Sequence, residues 1–147
     1  MAHWLFKEEP SHYSFSDLVR DGRTTWDGIR NPLARKNLRA ARARDTAFFY
    51  HSGTERAVVG IMEVLGAARP DPQDQLRAWS VPVKAVRPLR VPVTLAQLKS
   101  DPALEGSDLL RIPRLSVMPV SERQWRTILR YERGPSYPRT NVAARTD

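Results

Sequence analysis

The sequence predicts a small mixed α+β domain, its sheet curled into a barrel with short helices at the periphery. Three observations carry this. A chain of 147 residues suits one domain with a real core. Strand-like segments outnumber long helical ones. The helical segments are short and fall in the connections between strands.

His3-Trp4-Leu5-Phe6-Lys7-Glu8 alternates as a strand, with Trp4 and Phe6 on one face and Leu5 and Lys7 on the other. Pro10 ends it. Ser14 caps a short helix with Asp17 at its third position, Tyr13 staples against Leu18, and Gly22 stops it. A connecting loop follows and reaches Asn31-Pro32, a helix start with a favoured cap and a proline where no N–H is needed. The helix is expected from Pro32 to about Ala43. Ala34, Leu38 and Ala41 form its apolar face, and Arg35, Arg39 and Arg42 form a basic one.

Thr46–His51 and Ala57–Val64 read as strands joined by a turn at Ser52-Gly53-Thr54, so they suit a hairpin. Gly60 marks a bulge or a close backbone approach. Ala68 to Gln75 reads as an exposed loop. Trp79 to Val86 is a strand in which Pro82 argues for an edge or a bulge. Thr94 opens a short helix with a capping box to Gln97 and a staple from Val93 to Leu98. Arg114 to Val120 is extended. Ser121 caps a last helix with Gln124 closing the box and Trp125, Ile128 and Leu129 as its apolar stripe. The domain is therefore expected over 1–132, and 133–147 is expected to be a tail without fixed structure.

The composition narrows the function classes. There is no cysteine, which excludes disulfides and cysteine-based zinc sites. Three histidines without helical ligand spacing argue against a metal centre, and no cofactor is expected. No apolar run is long enough to span a membrane, and no signal-like N-terminus is visible, so a soluble cytoplasmic monomer is expected. The net charge of +8 favours a polyanionic partner, nucleic acid first and an anionic membrane second. No basic amphipathic helix of membrane-binding strength is present. Arginine enrichment also follows from GC-rich codon usage, so charge alone is a weak pointer.

The densest chemistry lies in Trp26-Asp27-Gly28-Ile29-Arg30-Asn31-Pro32. A nucleobase needs a flat ring to stack on and polar groups to read its edge. Trp26 offers the ring. Asp27 or Glu9 can accept from an exocyclic amino group. Ser52, Ser116 and backbone N–H groups can meet a base carbonyl. Arg30 and Arg114 can hold flanking phosphates, with Arg35 and Arg39 continuing the track along the helix. The base would have to be extruded or already single-stranded. A structural explanation competes for each residue: Trp26 as core, Gly28 as turn, Asn31 as cap, the arginines as a solvated face. An acid/base enzyme is the alternative, with Lys7 beside Glu8, Glu9 and Asp27. An ordinary salt-bridged strand end is the better explanation of those residues.

Four segments, in order, resemble the signature segments of EVE domains. They are Trp4–Pro10, Trp26–Arg35, Phe49–Ser52 and Arg114–Val120. The similarity runs from about Trp4 to Leu129. The resemblance implies a PUA-like fold, related to the YTH readers of modified RNA. It also implies a non-catalytic pocket for a modified base, such as a modified cytosine in DNA or a modified RNA base. Carried over, the pocket falls at Trp26, Asp27, Gly28, Ile29 and Asn31, with Lys7, Glu9, His51, Ser52, Leu115, Ser116 and Val117 around it. A small amidohydrolase acting on modified nucleosides through Lys7 is the alternative within this fold superfamily. Two features depart from the family pattern. Glu8 stands where serine is common, which alters charge at the pocket mouth, and the segment Gly66 to Trp79 is short.

Overall fold

The computed structural model describes residues 1–71 and 78–133. In chain order the elements are β1 (His3–Glu8), α1 (Phe15–Asp21), β2 (Arg23–Ile29), α2 (Pro32–Ala40), β3 (Thr46–His51), β4 (Ala57–Val64), β5 (Arg69–Pro70), β6 (Trp79–Thr94), α3 (Leu95–Lys99), α4 (Asp108–Arg111), β7 (Val117–Val120) and α5 (Glu122–Tyr131). A 3₁₀ turn, Pro102–Leu104, precedes α4. The strands form one mixed sheet in the order β2-β6-β4-β3-β1-β7, and β5 pairs with β6. β1 runs parallel to β3 and antiparallel to β7. Helix α2 packs against both β6 and β7, and its Asn37 Nδ2 donates to the Val117 carbonyl at 2.7 Å. It thus links β6 to the β7 end of the curled sheet, in a PUA-like half-barrel of mixed α+β class.

Both faces of the central strands are covered, which is why Trp4, Leu5 and Phe6 are all buried. On the inner face Trp26 lies against Phe6 and Phe49, with ring centroids 5.4 and 5.1 Å away, and Phe15 of α1 meets the edge of Phe49. On the outer face Trp125 of α5 stacks on Phe48 at 3.8 Å and on His3 at 4.3 Å. The side chains alternate along β1 and β3 as strand geometry requires.

The cap signals are realised. Ser14, Thr94 and Ser121 each make a complete capping box. Each such cap is worth about 1 kcal/mol. Gly60 is a close-approach position: a Cβ there would overlap the Phe15 ring, and the ladder shifts register on both sides of it.

Four expectations are corrected. The stretch before Asn31 is not a loop: Arg23–Ile29 pairs with β6, and a bulge at Asp27-Gly28, with Gly28 at φ +74°, breaks the register. Helix α2 stops at Ala40, so Arg42 lies beyond it and the basic stripe is shorter. β6 is 16 residues long and lies between β2 and β4, so Pro82 is not on an edge. The Pro82 carbonyl accepts from Leu65, one residue past the last β4 partner, Val64. Its missing N–H therefore falls where the ladder ends. The exposed loop expected at Ala68 to Gln75 begins instead with the two-residue strand β5, and its later part lies outside the described residues. The tail expected at 133–147 also lies outside them, apart from Arg133.

Candidate nucleic-acid interface

The bulge in β2 sets the geometry. Up to Trp26 the strand pairs regularly with β6, so the indole points into the half-barrel. At Asp27 the ladder breaks and the carboxylate turns outward, exposed and without a hydrogen bond or ion pair among the described residues. Beside it opens a cleft of about 240 Å³ lined by Glu8, His12, Tyr13, Thr24, Thr25, Trp26 and Asp27. That lies below the ~300–1,000 Å³ of drug-sized ligand sites and is on the scale of one heterocycle.

Each wall has a local cause. Glu8 is the last residue of β1 and shares the inner face with Phe6, two positions before it. Its Oε2 accepts from the Glu9 N–H at 3.2 Å and pairs with His12 Nδ1 at 2.7 Å. That hydrogen bond and the Glu8 charge raise the His12 pKa above its ordinary value, and the Asp27 charge adds to the rise. Tyr13 precedes the α1 cap and donates its phenol proton to Asp21 at 2.8 Å. Burial first, then Asp21, push the phenol pKa up, so the ring stays neutral. Thr24 reaches the cleft because it shares a strand face with Trp26.

Trp26 departs from its expected role. It is only 4% exposed, and Phe6 and Phe49 pack against its ring. In this conformation it offers no free face for stacking and instead backs the cleft. Ile29, Leu115 and Val117 are likewise buried in the core. Asn31 is the α2 cap, its Oδ1 accepting from Ala34 N–H at 3.0 Å.

The structure does not bring the other expected residues to the cleft. Lys7 lies on the opposite face of β1 from Phe6 and Glu8. Its ammonium sits 5.2 Å from the Tyr50 ring centroid and donates to the Pro113 carbonyl at 2.8 Å, while its backbone N–H donates to Ser116. Burial lowers its pKa. No carboxylate pairs with it among the described residues, so the lysine–carboxylate arrangement expected of an enzyme is not assembled. Glu9 lies against Gly53 in the turn after β3, where a Cβ would overlap its carboxylate. His51 is buried and structural: Nε2 accepts from the Phe15 N–H at 3.1 Å, so Nδ1 carries the proton toward Glu55 at 2.7 Å. Ser52 donates its backbone N–H to the Glu8 carbonyl at 3.0 Å, holding the end of β1.

A second concavity, about 360 Å³ and open, follows the exposed face of α2 and is lined by Pro32, Arg35, Lys36, Arg39 and Ala40. Arg39 lies 4.4 Å over the Trp79 ring, which orders its guanidinium. Arg30 and Arg114 are exposed.

The cleft residues missed from the sequence are His12, Tyr13, Thr24 and Thr25, while Glu8, expected at the pocket mouth, lines the cleft. Strand alternation is signal enough for Thr24. No sequence signal brings His12 and Tyr13 across from the α1 entry.

Known proteins match most of this chain. Human thymocyte nuclear protein 1 is 31% identical over 166 aligned positions, covering 89% of this chain and 74% of the human protein. The alignment is longer than the chain, so the human protein carries residues with no counterpart here. A crystal structure of an Agrobacterium tumefaciens protein is 37% identical, with a TM-score of 0.85 over 94% of this chain and 97% of that one. The human THYN1 protein in complex with 5-methylcytosine-containing DNA is 30% identical, with a TM-score of 0.83 over 91% and 99%. An ASCH protein from Zymomonas mobilis, at 12% identity and a TM-score of 0.62, shares the fold alone. The EVE domain profile matches residues 2–131, and on that match the chain belongs to the EVE domain family.

Proposed function

We propose that this domain binds nucleic acid and accommodates one modified nucleobase, a modified cytosine in DNA first, in the cleft between β1, β2 and the α1 entry. The observation that carries the reading is the likeness to the human THYN1 protein bound to 5-methylcytosine DNA. The net charge of +8 and the cationic groove on α2 support it. A modified RNA base is the second candidate polymer context.

In this reading the base enters as an extruded or unpaired residue. Glu8 and Asp27 accept from its exocyclic amino group, as carboxylates do with cytosine. Tyr13 supplies the flat wall that Trp26, held in the core, does not. Gly28 lets the backbone turn out at the bulge and expose Asp27. Arg35, Lys36 and Arg39 hold the flanking phosphates, with Arg30 and Arg114 as outlying contacts. We read the domain as a binder rather than an amidohydrolase: the Lys7 ammonium lies on the other face of β1 from the cleft, and it has no carboxylate partner among the described residues. A cytoplasmic monomer fits this role, and no described helix is long and apolar enough to cross a membrane.

The test fills the cleft from its exposed rim. Thr25→Tyr should leave the fold intact and reduce binding of an oligonucleotide with one 5-methylcytosine to the level of its unmethylated counterpart. Undiminished discrimination in Thr25→Tyr, measured by fluorescence anisotropy, would place the base elsewhere.

A further inference from the structure

We infer that Glu8 and Asp27 tune this cleft toward a ring-cationic base, of which N3-methylated cytosine is the type, over bases methylated without gain of charge. The inference rests on the base-accepting reading of the same cleft and goes further in naming the ligand's charge.

The lining carries two carboxylates and no lysine or arginine. Asp27 makes no hydrogen bond or close ion pair among the described residues and acts on His12 only through its charge, and Glu8 uses only Oε2, leaving Oε1 without a hydrogen bond. A neutral cytosine offers such oxygens a single amino donor. N3 methylation places a full positive charge on the ring and keeps the amino group beside it. Hydrogen bonds to ionised partners of opposite charge are roughly twice as strong as neutral ones. The cleft already holds one heteroaromatic donor in this position: the His12 imidazole on Glu8, drawn toward its cationic form by both carboxylates. His12 is three-quarters exposed at its side chain and so can yield Glu8 to a competing cation.

The chain's overall positive charge opposes entry of a free cationic nucleoside. It does not oppose a polynucleotide, whose phosphates meet the cationic groove on α2. N3 methylation also abolishes Watson–Crick pairing, so the base costs least to extrude.

The experiment compares single-stranded oligonucleotides of one sequence with a central cytosine, 5-methylcytosine or N3-methylcytosine. Binding is measured to the wild type, to the isosteric Glu8→Gln/Asp27→Asn double variant and to His12→Ala. The N3-methylated strand should bind about tenfold tighter than the 5-methylated one to the wild type. That preference should vanish in the double variant and grow in His12→Ala, where Glu8 is released. Tighter binding of the 5-methylated strand overturns this inference alone. So does a preference for the N3-methylated strand that survives in the double variant. Equal binding of all three strands by the wild type overturns the base-accepting function with it.

Discussion

Replacing Trp26 separates a stacking platform from a scaffold. The ring is 4% exposed, with Phe6 and Phe49 centroids at 5.4 and 5.1 Å. Trp26→Ala removes a buried indole and leaves a cavity between two strands, at a typical cost of about 3–5 kcal/mol. The lost aromatic pairs add roughly 0.5–1.5 kcal/mol each, partly counted in that figure. At roughly 2–4 °C per kcal/mol for a chain of this size, the melting temperature should fall by about 6–20 °C. Trp26→Phe keeps an aromatic in the core and should cost less than half as much. Thermal melts should be paired with oligonucleotide binding well below each variant's transition. A scaffold role predicts that Trp26→Phe retains most wild-type affinity. A Trp26→Phe protein with wild-type melting but binding reduced tenfold or more would refute the argument and restore direct stacking by the indole.

Gly60→Ala should destabilise by about 1–3 kcal/mol, because its methyl group meets a Phe15 ring already wedged on Phe49; denaturant unfolding checks this. Asp45 is buried, accepting from Ala2 N, Trp4 Nε1 and Arg42 N at 2.9–3.0 Å. Burial pushes its pKa up, but these donors and the N-terminal charge outweigh it and hold the value below the usual aspartate range. Its ionised form therefore stabilises the fold fully above that range, and the contribution disappears as pH falls through the lowered value. Asp45→Asn should lose about 1–3 kcal/mol at neutral pH and flatten the acid side of the stability–pH curve. Arg39→Ala should weaken oligonucleotide binding regardless of base identity and reduce the salt-dependence slope by about one phosphate contact.

The sequence makes β1, β3, β4 and the capped helices legible because their signals are local. Alternation, a serine or threonine with its box partner and a terminating glycine each act within a few residues. β6 is less legible because three prolines and three basic residues interrupt its pattern, and only its place between β2 and β4 explains where the prolines fit. The site divides in the same way. Asp27 stands out as a carboxylate beside a glycine. The burial of Trp26 depends on β1 and β3 lying over it, which its own segment cannot reveal. Nearness in sequence groups Lys7 with the carboxylates, although alternation along β1 places it on the other face from Glu8.

The most direct test of the central claim is an amide-resolved NMR titration with a single-stranded oligonucleotide carrying one 5-methylcytosine, referenced to the unmethylated strand. Methyl-dependent shifts should concentrate at Glu8, His12, Tyr13, Thr24, Thr25 and Asp27, while the α2 amides respond equally to both strands. Methyl-dependent shifts confined to residues away from these six would contradict a base held in the cleft beside Trp26.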